Sequence, residues 1–290
     1  MKIIRFGTVL ILLLSISGCG VDQFFIERGI NKIDVEIEDQ LNDFADLTPT
    51  QKQQATAIAL ATESWIRISV LPRAASLIGE IANDVETTGV LPKNTYDKVV
   101  EFAYRPAQLS TNRALIGDIA KLFYELDPQQ DQQVVQELTD NHAERLEKRN
   151  ERTLETQKDG IAKSLKTVFR GMGVARDASQ LAAMRTTLEQ RIELSEQTNS
   201  FYNSTNTNFI ELAQNKGDSF EQYFARYVSA WQRLEAGPSS AYPNEFAHNA
   251  NNGFEAISVL FNSLDKQEQL KVVEVLREYQ LFLTTLSTQD

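Results

Sequence analysis

Cysteine and histidine are scarce in this chain of 290 residues, which contains one cysteine, Cys19, and two histidines, His142 and His248. A single thiol cannot form a disulfide within the chain, so the fold must be stabilised by a packed core. Neither histidine has another histidine or a cysteine at ligand spacing, so the ligands of a transition-metal site are missing. The sequence therefore predicts no metal site and no cofactor.

Long hydrophobic runs are also missing. The one marked apolar run, residues 7–16, is too short to span a bilayer, which takes roughly 18 to 20 apolar residues. It follows a basic start at Lys2 and Arg5 and ends in small residues, as a signal peptide does. We therefore expect export of the chain and no membrane-spanning helix.

The sequence Ile16-Ser17-Gly18-Cys19 resembles the lipobox of bacterial lipoproteins. This resemblance implies cleavage after residue 18 and a diacylglycerol on the thiol of Cys19, so residues 1–18 are the signal peptide and residues 19–290 the mature chain. The alternative is an uncleaved anchor with an incidental cysteine. In similar Gram-negative lipoproteins an aspartate after the cysteine favours retention in the inner membrane. Gly20 stands there instead, so we expect an outer-membrane lipoprotein that faces the periplasm.

The charge of the chain is strongly acidic, with 29 basic and 40 acidic residues. Removal of Lys2 and Arg5 with the signal peptide leaves 27 basic residues and a net charge of −13. Such a chain does not bind nucleic acid through neutralisation of phosphates. The expected partners are the membrane, through the lipid on Cys19, and an envelope protein.

Catalytic motifs are absent as well. There is no Gly-x-Ser-x-Gly elbow, no phosphate-binding glycine-rich loop and no cysteine nucleophile in the mature chain. Ser239 and Ser240 follow Gly237-Pro238 and are typical of a turn, and the longest predicted loop runs from 237 to 253. The sequence therefore predicts no catalytic residues and favours a protein that is not an enzyme.

An acidic cluster lies near the mature N-terminus. Its carboxylates could bind calcium, but no glycine-containing loop shapes a coordination cage. A solvated helix face is the favoured interpretation, because apolar residues recur on the other side at helical spacing. The acids are Asp34, Glu36, Glu38, Asp39, Asp43 and Asp46, and the apolar side carries Ile30, Ile33, Ile37, Leu41 and Phe44.

What the sequence does contain is helical periodicity from end to end. Apolar residues recur every three or four positions from Ile58 to Val85, and no sustained alternation indicates a strand. We expect one long helix there, kinked at Pro72 and ended by Gly89, then helices over 94–102 and 109–126. The predicted fold is an all-α, irregular multi-helix bundle with possible subdivisions 22–126, 127–215 and 218–290.

Four predicted helix starts share one pattern, a capping box. In each, a Thr or Asp N-cap precedes Gln or Glu by three positions, so that both side chains satisfy free amides of the first turn. The four boxes are Thr48 with Gln51, Asp127 with Gln130, Asp177 with Gln180, and Asp265 with Glu268.

The segment 139–160 is highly charged and has few apolar residues, yet its helix propensity is high. Opposite charges one turn apart pair Glu144 with Lys148, and Glu155 with Arg152 and Lys158. With a turn near residue 174, this segment and the polar stretch 195–208 would lie side by side in a long antiparallel helical hairpin. The alternative is that these are solvated faces of ordinary bundle helices.

Aromatic residues are concentrated after this hairpin. Their helical spacing favours a core stripe, with a ligand or peptide groove as the alternative. The stripe consists of Phe220, Tyr223, Phe224, Tyr227 and Trp231.

The segments Asp46-Leu47-Thr48-Pro49-Thr50-Gln51, Trp65-Ile66-Arg67 and Leu71-Pro72-Arg73 resemble the opening of an uncharacterised lipoprotein family of Gram-negative bacteria. More distantly, Leu-Thr-x-x-Gln is similar to a motif of small helical periplasmic stress chaperones. We expect a binding or envelope-organising module. Alternatives are a self-associating structural protein, a chaperone-like stress protein, and an enzyme without a recognisable motif.

The lipid anchor is directly testable. Replacement of Cys19 by Ser should abolish lipid attachment, because the thiol is the acceptor of the diacylglycerol. Metabolic labelling with an acyl probe, followed by separation of inner and outer membranes, measures this. We expect labelled wild-type protein in the outer membrane and no label on the variant. Label that persists on Cys19→Ser would contradict the anchor.

Overall fold

The structure is a computed structural model that describes residues 29–95, 98–99 and 108–288. Every regular element in these ranges is helical, which confirms the predicted all-α multi-helix bundle. The predicted signal peptide, Cys19 and most of the predicted helix 94–102 lie outside the described residues. No helix within the described ranges is long and apolar enough to cross a membrane.

The first helix, α1 (Ile33–Phe44), packs against α2 (Pro49–Trp65). Its buried residues are Ile33, Ile37, Leu41 and Phe44, one apolar side at helical spacing. The acids of α1 lie outside this buried stripe, as predicted for a solvated helix face.

A π-helical turn, Ile66–Val70, joins α2 to α3 (Leu71–Thr88), so helical structure is continuous from 49 to 88 as predicted. The wider turn is seen in the hydrogen bond that the Leu71 amide donates to the Ile66 carbonyl. It relieves the clash that the ring of Pro72 would make with the preceding turn. The irregularity thus begins before Pro72, and the helix ends at Gly89, whose φ is 72°.

The remaining helices form pairs. Helix α3 packs on α11, α5 on α8, and α7 on α10, whereas α9 packs on both α4 and α8. Buried apolar residues from all of these helices belong to one core. The helices are α4 (Arg113–Tyr124), α5 (Pro128–Asn150), α6 (Leu154–Gly171), α7 (Ala178–Leu188), α8 (Ser195–Gln214), α9 (Phe220–Ala236), α10 (Pro243–Asn262) and α11 (Lys266–Thr288).

All four predicted capping boxes are present, and they meet in two pairs. In the first pair the side-chain amides of Gln51 and Gln130 bond to each other. Gln51 Nε2 donates to Gln130 Oε1 at 3.1 Å, and Gln130 Nε2 donates to Gln51 Oε1 at 2.8 Å. Both side chains are buried. The reciprocal pair therefore fixes the start of α2 against the start of α5.

The other hydrogen-bonding positions of these two amides are also filled. Each Oε1 accepts the amide of its own N-cap residue, Thr48 at 2.9 Å and Asp127 at 3.0 Å. Each Nε2 donates to a carbonyl of the opposite segment, that of Glu125 at 3.3 Å and that of Asp46 at 2.9 Å. A buried polar pair stabilises a fold only when it is satisfied in this way.

The second pair of boxes meets through Arg176, the residue before the Asp177 N-cap. Its guanidinium is buried and contacts the carboxylate of Glu268, the last residue of the Asp265 box. Arg176 Nη1 also donates to Ser263 Oγ at 3.1 Å. These contacts fix the start of α7 against the start of α11.

The predicted hairpin is present, but its two arms are not continuous helices. The turn lies at 172–177, as expected, and Gly173 there has a φ of 72°. The outward arm breaks after Asn150 and resumes at Leu154, and the returning arm breaks between Leu188 and Ser195. Thr153 caps the new helix, and the Glu193 carboxylate accepts the amide of Ser195 at 2.9 Å.

These breaks change one predicted ion pair. Glu144 pairs with Lys148 and Glu155 with Lys158, as expected. Glu155 does not pair with Arg152, because Arg152 lies in the break, and it contacts Arg185 of the returning arm instead. The expected long helical hairpin is therefore broken in both arms, since local caps outweigh the helix propensity of the charged segment.

The predicted loop 237–253 is also wrong beyond its first residues, because α10 begins at Pro243. Two of its asparagines do not compete with the local backbone, since their side chains bond to another segment. Asn249 Nδ2 donates to the Ile192 carbonyl at 2.9 Å, and Asn252 Nδ2 donates to that of Thr187 at 2.6 Å. Helix α10 is thereby attached to the end of α7.

The reciprocal amide pair should be visible as energetic coupling. Gln51→Ala or Gln130→Ala alone should each lower the free energy of unfolding by about 1 to 3 kcal/mol, because a buried partner is left unsatisfied. The double variant should lose less than the sum, since both single changes break the same contact. Urea unfolding of the lipid-free mature chain measures the coupling.

Gln180→Ala is the matched control, because Gln180 closes a capping box without bonding to another glutamine. It should lower the free energy of unfolding by about 0.5 to 1.5 kcal/mol and add independently to Gln51→Ala. Strict additivity of Gln51→Ala and Gln130→Ala would mean that the two boxes do not support each other.

Candidate functional site

The aromatic stripe of α9 lies in the core, which confirms the favoured interpretation. Tyr223, Tyr227 and Trp231 are buried, and Phe220 and Phe224 are partly buried against the same core. Tyr223 and Tyr227 stack with ring centroids 5.8 Å apart. The stripe therefore contributes to folding by area buried and by ring contacts.

A small cavity of about 40 Å³ lies within this aromatic cluster. A ligand pocket for a drug-sized molecule measures roughly 300 to 1,000 Å³, so this space admits no more than a few water molecules. Its lining is apolar or aromatic apart from one acid. The lining residues are Phe44, Phe123, Asp131, Val134, Leu138, Phe209, Leu212, Ala213, Tyr223, Tyr227 and Trp231.

The acid in this lining, Asp131, belongs to an ion pair. Its Oδ1 lies 2.8 Å from Nζ of Lys216, which also donates to the Leu126 carbonyl at 2.5 Å. Burial raises the pKa of Asp131, and the hydrogen bond from Lys216 opposes that change. Burial also raises the pKa of Tyr223 and Tyr227, which keeps both hydroxyls protonated. The cavity thus contains a structural ion pair and no activated nucleophile.

A second candidate is the polar face, which we define as residues 139–150 of α5 and 195–206 of α8. These two segments pack against each other, as predicted. No side chain from 139 to 157 is buried, and the buried residues of 195–206 are Phe201 and Thr205. The helices are therefore held together here by little apolar area.

Polar side chains connect the two helices of this face. Arg149 Nε donates to Asn199 Oδ1 at 2.8 Å, and Asn199 Nδ2 donates to Asn150 Oδ1 at 2.9 Å. About two turns earlier on α5, Nε2 of His142 lies 2.6 Å from Oδ1 of Asn203 and acts as the donor. The order of these contacts shows that α5 and α8 run antiparallel.

Arg149 is the unusual member of this network. Its guanidinium carbon lies 5.1 Å from the ring centroid of Tyr202, a cation–π contact. Its Nη2 is buried and has no hydrogen-bond partner among the described residues. No carboxylate in that part of the chain forms an ion pair with it, and burial lowers its pKa. A half-buried cation without a counter-charge is unfavourable for folding.

A narrow cleft of about 20 Å³ lies beside this guanidinium, and we call it the Arg149 cleft. His142, Arg145 and Arg149 line it from one side of α5, where positions three and four apart share a face. Tyr202, Thr205, Asn206 and Phe209 of α8 and Leu234 of α9 complete the lining. No acid lines the cleft, although the chain as a whole is acidic.

The other residues considered from the sequence lie apart from both candidates. His248 is on α10, away from His142 on α5, and its Nε2 bonds to the Gln190 carbonyl at 2.8 Å. Ser240 Oγ donates to the Gly237 carbonyl at 2.7 Å within a 3₁₀ turn. In the described ranges no three His, Cys, Asp or Glu side chains are grouped so that they could hold a metal ion. Cys19 lies outside those ranges.

The polar face was predicted from the sequence, but the Arg149 cleft was not. Arg149 stands among many charged residues, and neither its spacing nor its neighbours distinguish it. Its position depends on Asn199 and Tyr202, which are distant in sequence and come close only when the hairpin folds. No local signal could have identified it.

Comparison with protein-family models, with curated proteins and with solved structures gave no match. The resemblance to an uncharacterised lipoprotein family therefore stays a prediction from its motifs.

Proposed function

We propose that this protein is a lipid-anchored, non-enzymatic binding module on the periplasmic side of the outer membrane. Its binding surface is the polar face of α5 and α8, and its partner is another component of the envelope. The lipobox-like sequence at Cys19 supports the location. Export also fits a chain with one thiol and a predicted signal peptide.

The observation that carries this proposal is the half-buried, unpaired guanidinium of Arg149. Packing of α5 on α8 uses Nε of Arg149 and the face of its guanidinium, but it leaves Nη2 without a hydrogen-bond partner and the charge without a counter-ion among the described residues. Unfavourable polar groups of this kind are concentrated at functional sites, where a ligand completes them. The surrounding face contributes few buried side chains, so its residues are available for contact.

The partner surface can be located by photo-crosslinking in cells that express the lipoprotein. A photoreactive amino acid at Glu147, which is exposed on the polar face, should give a discrete crosslinked product. The same amino acid at Lys271, exposed on α11, is the matched control and should give none. Mass spectrometry of the product identifies the partner.

Absence of a product from position 147, or the same product from positions 147 and 271, would contradict a binding role for the polar face. Both substitutions replace an exposed charged side chain, so neither should disturb folding. The comparison therefore reports on surface position alone.

Self-association is the second candidate, and one observation favours it. Ile68 is 71% exposed and Leu281 is 69% exposed, the highest values among large apolar side chains of the described residues. Their elements lie together, since Arg67 Nη1 donates to the Leu286 carbonyl at 3.0 Å. A crosslinked dimer of this chain from position 281, without any product from position 147, would favour this alternative.

A further inference from the structure

The charge around the Arg149 cleft indicates which ligand it could accept. Two arginines and a histidine line it, and no acid does. Arg176 shows how another guanidinium of this protein is satisfied, because it lies over Phe169, is paired with Glu268 and is bonded to Ser263. Arg149 likewise lies over an aromatic ring and bonds to a polar side chain, but it has no carboxylate partner among the described residues. The missing partner is therefore an anionic group.

The geometry of the guanidinium narrows the choice of anion. Nε of Arg149 is committed to Asn199, and the flat side of the group rests on Tyr202, so it is held in one orientation. Nη2 has no partner among the described residues. A fixed, planar guanidinium of this kind favours an oxyanion that accepts hydrogen bonds in its plane, such as a carboxylate or a phosphate.

The size of the cleft restricts the choice of anion further. About 20 Å³ is room for one group the size of a water molecule. A carboxylate can insert one oxygen edge-on and leave the rest of its molecule outside, with a small opening of the cleft because Nη2 is closed to solvent. Phosphate and sulfate carry oxygens on all sides, so they fit beside a planar group in a narrow cleft less well than a flat carboxylate does.

We propose that the Arg149 cleft binds a carboxylate group of a protein partner, either a chain terminus or an acidic side chain. This inference rests on the proposed function of the polar face. Arg149 provides the charged hydrogen bonds, and Arg145 on the same side of α5 adds to the positive potential. Asn206 offers a polar group from α8, whereas the hydroxyl of Thr205 is committed to the Phe201 carbonyl at 2.9 Å.

The test uses the lipid-free mature protein and small probes. N-acetylglycine imitates a chain terminus, and N-acetylglycinamide is its uncharged counterpart. In nuclear magnetic resonance titrations at constant ionic strength, N-acetylglycine should give saturable shifts of the Asn199 side-chain amide, the Tyr202 ring and the Arg149 Nε–H. The amide should give none. Inorganic phosphate should bind at least tenfold more weakly than N-acetylglycine.

Two variants distinguish binding in the Arg149 cleft from a general effect of positive charge on the affinity. Arg149→Met should lower the affinity for N-acetylglycine at least tenfold, because it removes the charged donors. Arg152→Met removes the same charge from an exposed position nearby and should change the affinity less than twofold. If Arg149→Met fails to fold, Arg149→Lys keeps the charge without the planar fork and should weaken binding several-fold.

Several results would overturn the proposal. They are the absence of saturable shifts with N-acetylglycine, equal shifts with its amide, tighter binding of phosphate, and equal loss in the Arg149 and Arg152 variants. Crosslinking from position 147 distinguishes this failure from failure of the proposed function. If Arg149→Met still captures the partner, the proposed binding module stands and only the carboxylate site is refuted.

Discussion

The reciprocal hydrogen bonds between Gln51 and Gln130 are the constraint from which the arrangement of this bundle follows. Each glutamine closes the capping box of its own helix and also bonds to the other, so two helix starts share one buried amide pair. Capping is a local interaction in most proteins. Here it is also a tertiary contact, and it fixes where α2 and α5 begin relative to one another.

From that common origin the two helices take different roles. Helix α2 packs on α1 and α4 and continues through the π turn into α3, which packs on α11. Helix α5 buries Gln130, Val134 and Leu138 in its first half and no residue from 139 onward. Its second half is therefore positioned by the first half and by polar contacts with α8. This separates the part of α5 that is packed in the core from the part that we propose for binding.

The helical class and the capping boxes could be predicted because both depend on residues close in sequence. The three-residue spacing of Thr48 and Gln51, and of Asp127 and Gln130, is the spacing that a capping box requires. The pairing of the boxes could not be predicted, since nothing near Gln51 specifies Gln130 as its partner. The same limit explains the loop error, because Asn249 and Asn252 are typical of loops until their bonds to Ile192 and Thr187 are known.

The hairpin shows where local reasoning succeeds and fails within one element. Its turn and the contact between its polar stretches follow from the pattern of apolar and charged residues. Its breaks depend on a competition between continuing the helix and starting a new one at the caps Thr153 and Glu193. These two outcomes differ by little in free energy. Arg149 lies just before the first break. Its position in the candidate site therefore could not be predicted from the pattern of apolar and charged residues.

The central claim is that α5 is divided into a half that is packed in the core and a half that is held mainly by polar contacts. Native-state hydrogen exchange at low urea concentrations measures it residue by residue. The account predicts that amides of 132–138 exchange only through global unfolding, with a strong dependence on urea. Amides of 142–150 should exchange through local opening, with a lower opening free energy that hardly depends on urea. One common opening free energy over the whole of α5 would contradict the account.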